Sequence, residues 1–260
     1  MHSLAVAPLT MHLDFPELHG ITRGIRNSRN VYEGYQRGFG LQFGDLRKQV
    51  LRDPLYREAL KLAKGRTILA EDNRMNLFLI LRHYLGSIEP GDLLEFGCYK
   101  GGNAIFMAHV ARQLYPGMRV YALDTFEGMP DVDKGVDAHN KSDFRDVDLR
   151  ELQSYARRIG LTNLEFVPGC FEDTAETVLK RSRKIALAHI DCDIGSSVRY
   201  SYQVVKDRMA EGGYIVFDDA NVSSCIGATE AVEDLLIRRD GLNSEQIYPH
   251  FVFRAFRRPG

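Results

Sequence analysis

Acidic residues gather where two apolar runs end. Ala186-Leu187-Ala188-His189-Ile190 leads into Asp191, Cys192 and Asp193, and Tyr214-Ile215-Val216-Phe217 leads into Asp218 and Asp219. If both runs are neighbouring strands of a parallel sheet, their carboxylates converge at the rim where such sheets bind ligands. Carboxylates brought together repel unless a cation sits among them, and oxygen-only donors suit Mg2+, Mn2+ or Ca2+ better than zinc. Three or four of the carboxylates of Asp191, Asp193, Asp218 and Asp219 are therefore candidate metal ligands. Capping of the following helices is the other use of such aspartates, but acid pairs at two strand ends favour a cation. Asp193 is read as a structural or acceptor-binding residue.

A second chemical signal is Leu93-Leu94-Glu95-Phe96-Gly97-Cys98-Tyr99-Lys100-Gly101-Gly102, an apolar run that ends in an acid and a glycine-rich turn. A strand feeding a helix through glycines brings backbone N–H groups and a positive helix end to a ligand. The turn has neither the G-x-G-x-x-G spacing of dinucleotide enzymes nor a P-loop ending. It suits a smaller ligand presenting a carboxylate or an amino group. One unit later, Val120-Tyr121-Ala122-Leu123 closes on Asp124, placed to accept hydrogen bonds from a ribose diol. A glycine turn with a ribose acid is common to enzymes of NAD and of S-adenosylmethionine (SAM), so the pair alone does not separate them. Among the histidines, His189 lies inside an apolar strand and reads as a packed core residue. His139 lies in a polar loop, either as an exposed histidine or as a general base.

Strands are expected at 92–96, 119–123, 163–167, 185–190 and 213–218, and helices near 102–114, 148–159, 173–182, 197–210 and 227–238. Two closing strand-like runs, 246–248 and 251–256, fit an antiparallel edge hairpin. The alternation implies an α/β fold, a doubly wound, mostly parallel seven-stranded sheet covered on both faces. The polar span 128–145 is long for a βα connection and is a candidate active-site loop. Residues 1–75 differ. The stretch 21–43 is rich in Arg, Asn, Gly and aromatics, 43–62 reads as helical, and 67–85 has helical apolar spacing. The expected division is a helical cap or lid with an oligomer contact over 1–75, and a ligand-binding domain over 76–260.

The 260 residues carry 34 Lys and Arg against 35 Asp and Glu. A net charge of −1 gives no electrostatic footprint for nucleic acid. No apolar stretch approaches the ~20 residues of a membrane span, and residues 1–20 lack a signal-peptide pattern. The four cysteines, Cys98, Cys170, Cys192 and Cys225, show no C-x-x-C spacing and read as buried or near-site thiols rather than a zinc site or disulfide frame. These features lead us to expect a soluble cytoplasmic protein.

Several runs together resemble the macrocin O-methyltransferase family, SAM- and metal-dependent enzymes that methylate sugar and phenolic hydroxyls of bacterial natural products. The resemblance spans about 92–231. It rests on Glu95-Phe96-Gly97 with Gly101-Gly102, on Asp124-Thr125-Phe126-Glu127-Gly128-Met129-Pro130 and on Lys141-Ser142-Asp143-Phe144. It continues through Gly169-Cys170-Phe171-Glu172-Asp173-Thr174, His189-Ile190-Asp191-Cys192-Asp193, and Gly212-Gly213 through Asp218-Asp219. The resemblance implies a Rossmann-like class I methyltransferase fold. It also implies that Glu95, Gly97 and Gly101 hold the methionine part of SAM and Asp124 its ribose, with Asp173 near the adenine. Thr125, Phe126, Glu172 and Asp191 complete the expected cofactor surroundings. Asp191, Asp218 and Asp219 would hold Mg2+ or another divalent cation. Where the family usually carries Leu or Met, then Tyr-Glu-Ser, after the second acid, this chain has Ile194-Gly195-Ser196, and residues 1–75 match poorly, so the acceptor is the least specified part.

The expected reaction is methyl transfer to a hydroxyl of a small molecule, with Asp191 as first choice for taking the proton and His139 as second. A homodimer or higher homo-oligomer is expected, with no nucleic-acid or membrane partner. The rivals are an NAD-dependent oxidoreductase, disfavoured by the glycine spacing, and a SAM-binding protein without catalysis, disfavoured by the intact acids.

Overall fold

In the computed structural model the described residues are 45–222, 224–242, 244–247 and 250–255, with a small antiparallel ladder of Ile25–Arg26 and Arg29–Asn30. Most of the expected arginine- and aromatic-rich stretch 21–43, and all of 1–20, lie outside them. Seven strands form one sheet: β1 Asp92–Phe96, β2 Val120–Asp124, β3 Leu164–Pro168, β4 Ile185–Ile190, β5 Met209–Phe217, β6 Ser244–Ile247 and β7 His250–Ala255. Their order is 3-2-1-4-5-7-6, parallel from β3 to β5, with β7 antiparallel to both β5 and β6. This is the doubly wound, seven-stranded α/β sheet expected.

The strands β1 and β4 lie at its centre, and every residue of both is buried, as parallel strands covered on two faces must be. The chain leaves β1 for β2 on one side and meets β4 on the other, which opens a crevice above their carboxyl ends. In register, Glu95 stands beside His189, and His189 beside Val216.

Alternating side chains feed two apolar layers. Leu93, Val120 and Val216 face helices α2 (Pro54–Ala63), α3 (Glu71–Leu79) and α4 (Gly102–Leu114). Leu94, Phe96, Ile190 and Phe217 face the layer containing α6 (Phe171–Arg181), α7 (Gly195–Val205) and α8 (Ile226–Ala231); α5 (Leu149–Arg158) adds Leu152 to the first layer. The first layer is locked by Tyr56, Phe78 and Phe106, which meet edge to face at centroid distances of 5.2, 5.6 and 6.4 Å. Such pairs add about 0.5–1.5 kcal/mol each beyond their buried area.

The helical expectation for 43–62 resolves into α1 (Asp45–Arg52) and α2. Asp53 separates them, accepting hydrogen bonds from Leu55 N and Tyr56 N, with Pro54 opening the new helix; a proline is tolerated there and disfavours continuation from before. In 67–85, Thr67–Ala70 is not helical. Helix α3 begins at Glu71 and runs into a π-helical turn, Ile80–Tyr84. A second π-helical run, Val232–Arg239, follows α8. The last parallel strand begins at Met209, four residues before the expected 213: Met209 pairs with Ile185, and the register then shifts across Glu211-Gly212-Gly213 before Tyr214 pairs with Leu187.

Candidate active site

A cavity of about 690 Å3 opens over the carboxyl ends of β1, β2, β4 and β5. At one end lies the glycine turn. Gly97 has φ +82°, and a Cβ there would stand 1.9 Å from Asp191 O, so only glycine lets the end of β1 pass beneath the acid after β4. The turn delivers the Cys98 and Tyr99 N–H groups to Asp124 Oδ2 at 2.9 and 2.8 Å, and Phe126 N–H to Oδ1 at 2.8 Å. Burial raises the Asp124 carboxyl above its ordinary value against the pull of these donors. A carboxylate offers about four acceptor positions, so one remains for a ligand hydroxyl.

Glu95 is fully buried and also lines the cavity. Its Oε1 accepts from Asn103 Nδ2 at 2.6 Å and meets His189 Nδ1 at 3.1 Å, while Oε2 has no protein partner. An unpaired buried carboxylate oxygen is costly, and a bound ammonium would satisfy it.

Beside Glu95, Asp191, Asp218 and Asp219 each offer an oxygen within 4.8 Å of the others, and Asp191 also comes within that distance of Glu95. Burial first, then the like charges of its neighbours, pushes the Asp191 carboxyl well above the usual carboxylate range, and Asp219 behaves alike. Asp218 differs. Burial opposes its charge, but His189 and His250 hold its pKa well below the usual range. Its Oδ1 accepts from Asn73 Nδ2 at 2.7 Å and from His250 Nε2 at 2.8 Å, and lies 3.5 Å from His189 Nε2 in an ionic contact lacking hydrogen-bond alignment. Asn76 Nδ2 stands 2.8 Å from His250 Nδ1; that contact fixes the tautomer in which Nε2–H donates to Asp218. His189 is fully buried, and although burial disfavours its charge, Asp218 and Glu95 raise its pKa to about 9. Side chains thus grip Asp218 at Oδ1 and leave Oδ2 for a ligand. Three oxygen donors, two of them destabilised as anions, fit a hard divalent cation.

Asp193 sits beside this group with φ +59°. Its N–H donates to Asp219 Oδ2 at 2.8 Å, and its Oδ1 lies 3.2 Å from His139 Nε2. Burial pushes its carboxyl up to about 6, partly offset by His139.

Of the residues expected around the cofactor, Glu95, Gly97, Asp124, Thr125, Glu172 and Asp191 line the cavity, as do the acids Asp218 and Asp219. Gly101, Phe126, Asp173 and His139 are not among its lining residues. Gly101 takes φ +69° to start α4, where a Cβ would strike Phe166 and Leu152. Phe126 packs on Phe166, Asp173 is exposed in the first turn of α6, and His139 reaches the site through Asp193. His189, read as a core residue, is buried and also joins Glu95 to Asp218. Asn73, Asn103 and His250 were not singled out from the sequence, because nothing in their spacing marks them. The loop 128–145 contributes Gly128, Met129, Pro130, Asp131 and Phe144 to the cavity. Buried Asp137 pins its middle by accepting from Gly195 N and Gly227 N at 3.0 and 3.1 Å.

The model of a family described as macrocin-O-methyltransferase (TylF) matches residues 66–240. An 8-demethyl-8-(2,3-dimethoxy-alpha-L-rhamnosyl)-tetracenomycin-C 4'-O-methyltransferase from Streptomyces olivaceus is 30% identical over 169 residues, 61% of this chain and 63% of that protein, just under two thirds of its length. Demethyldecarbamoylnovobiocin O-methyltransferase from Streptomyces niveus is 26% identical over 205 residues, 73% of this chain and 77% of that protein. Among solved structures, the O-methyltransferase NovP superimposes with a TM-score of 0.64 at 23% identity, covering 82% of this chain and 95% of NovP. CalS11, a calicheamicin methyltransferase, gives 0.61 at 19% identity, covering 80% and 89%. At these identities the structural likeness establishes the fold.

Proposed function

The chain belongs to the macrocin-O-methyltransferase family, and on that premise we propose that it transfers a methyl group from SAM to a hydroxyl of a small natural product, a sugar or a phenol, with the help of a divalent cation. The observation that carries the reading is one cavity lined by Glu95 with an unpaired Oε2, by the backbone-held Asp124 and by the acid trio, with Asp191 close to both Glu95 and the glycine turn. The relatives named above, one methylating a rhamnosyl tetracenomycin and one a novobiocin precursor by their names, support the acceptor class.

When bound, SAM supplies a methyl group on a sulfonium and a divalent cation supplies Lewis acidity that lowers the pKa of an acceptor hydroxyl. Glu95 Oε2 would receive the ammonium of the methionine moiety, and the open position of Asp124 a ribose hydroxyl. Asp191, Asp218 Oδ2 and Asp219 would hold the cation. Holding donor and acceptor in line is the larger part of the work of such a site. For the hydroxyl proton, the geometry favours Asp193 backed by His139. Asp191, the first choice from sequence, is committed to the cation in this arrangement. The Asp193 carboxyl near 6 is a suitable base close to neutral pH.

Thr67–Ala70, Asp72 and Asn73 line the cavity, which supports a role for the region before residue 76 as an acceptor wall. We extend this reading to residues 1–75 as a cap and homo-oligomer contact. Among the described residues no helix is long and apolar enough to cross a membrane.

Calorimetric titration with SAM and with NAD, each with and without Mg2+, tests the reading first. SAM binding without NAD binding is the expected result. Methyl transfer from labelled SAM to a panel of glycosides and phenols should then be lost in EDTA and restored by Mg2+. NAD binding in place of SAM would return the oxidoreductase alternative, and full turnover in chelator would remove the cation.

A further inference from the structure

A second cluster of donors stands beside the acid trio, and it contains sulfur. His139 Nε2, Asp193 Oδ1 and Cys225 Sγ form a triangle with edges of 3.2 Å (N to O), 3.6 Å (S to N) and 3.8 Å (S to O). Zinc bonds of ~2.0–2.2 Å to nitrogen and oxygen and ~2.3 Å to sulfur, set tetrahedrally, give donor separations of about 3.3–3.7 Å, which the three edges approach to within about 0.1 Å. The cluster is held in place by its surroundings. Asp137 and Cys225 form an isolated antiparallel bridge, and Ala138 N donates to Ser224 O at 3.0 Å. The carboxylate of Asp137 fastens the same loop to the starts of α7 and α8. Behind the imidazole, Asp143 Oδ2 lies 3.7 Å from His139 Nδ1, beyond hydrogen-bond reach, and accepts from Asn140 N at 2.8 Å.

We propose that His139, Asp193 and Cys225 form a second cation site, selective for a thiophilic divalent ion of the Zn2+ class and distinct from the oxygen site of Asp191, Asp218 and Asp219. Thiolate and imidazole donors select zinc-like ions, whereas three carboxylates suit Mg2+. Three protein donors leave a fourth tetrahedral position for solvent. Cys225 is buried, but the His139 and Asp193 side chains remain 18% and 21% exposed, which gives the ion a way in. Without a cation the Cys225 thiol keeps its proton, pushed up to about 12 by burial and then by Asp219. Binding displaces that proton to solvent, and no redox change is involved. Occupancy withdraws Asp193 and His139 from the acceptor, so the ion inhibits methyl transfer; this consequence rests on the function proposed above.

The test uses the full chain in saturating Mg2+. Titration with Co2+ should give a near-ultraviolet thiolate-to-cobalt absorption that one equivalent of Zn2+ removes. Cys225→Ser should abolish that absorption and weaken Zn2+ binding at least about tenfold, while Mg2+ affinity stays as in the native chain. Asp218→Asn should weaken Mg2+ binding and spare the Zn2+ signal. A Cys225→Ser chain that keeps native Zn2+ affinity, a cobalt spectrum without the sulfur band, or Zn2+ binding lost to Asp218→Asn and not to Cys225→Ser would each overturn the site. In the methyl-transfer assay, micromolar Zn2+ should inhibit the native chain and spare Cys225→Ser, and equal inhibition of both would overturn the inhibitory role. Absence of SAM binding would instead count against the methyltransferase reading and leave the metal result intact.

Discussion

The two ends of the cavity are built differently. On the glycine-turn side, the donors to Asp124 are backbone N–H groups, those of Cys98 and Tyr99, 26 and 25 residues away, and that of Phe126, two residues on. At the acid end, the donors to Asp218 are side chains of Asn73 and His250, 145 and 32 residues away. Backbone donors survive replacement of the residues that carry them, whereas a side-chain grip is undone by any one of its members. The Asp124 side should therefore yield to changes in Asp124 itself or in Gly97, which shapes the turn, and the Asp218 side to several distant substitutions.

The largest effect is expected at the hub. Asp218→Ala leaves the His189 imidazolium without one of its two carboxylates, and removing one partner of a buried pair costs about 3–5 kcal/mol. Urea unfolding of the metal-free protein measures this, and a loss below about 1 kcal/mol would mean that Asp218 is not the hub. Next, Asp124→Ala should weaken SAM binding by about 1.5–3 kcal/mol, the scale of a hydrogen bond to a charged group, while divalent-cation affinity is unchanged. Calorimetry decides it, and unaltered SAM affinity would place the ribose elsewhere. Asn73→Ala should do the reverse, lowering cation affinity about tenfold, as loss of an outer partner does, with SAM affinity preserved. Equal losses for both ligands would erase the contrast between the two ends.

The smallest effect lies outside both. His109 on α4 is buried, and burial lowers its pKa below the ordinary value of 6.5. Its folded-state pKa is thus below the unfolded one, so the unfolded chain takes up the proton first as pH falls. Stability should drop as pH goes from 6.5 toward the depressed value. His109→Gln should flatten that part of the profile, and identical profiles for the two chains would show that this histidine does not contribute.

The contrast also explains what the sequence made legible. The strands β1 and β4 are mostly apolar because both faces are buried, and acids stand at or just past the ends of β1, β2, β4 and β5, so Glu95, Asp124, Asp191 and the Asp218-Asp219 pair could be placed at strand ends from order alone. Asn73, Asn103 and His250 could not, since each is a single polar residue whose partner is fixed by tertiary packing. The buried His189 was read correctly for burial and incompletely for bonding, because an imidazole inside an apolar run gives no sign of carboxylates on the adjoining strands. The break between α1 and α2 did have a signal, Asp53-Pro54, whereas the π-helical turns have none, because a shift of hydrogen-bond partner by one residue leaves the apolar spacing nearly unchanged.

The position of His250 has a consequence for biosynthesis. It lies on β7, which inserts between β5 and the earlier strand β6, and beyond the family-matched span that ends at 240. A nascent chain that has emerged as far as Asp219, just past β5, already holds the glycine turn and the acids Glu95, Asp124, Asp191, Asp218 and Asp219, but Asp218 still lacks one of its two hydrogen-bond donors. During translation the donor end of the cavity can therefore form first, and the acid end is finished only when residue 250 has left the ribosome and threaded into the sheet.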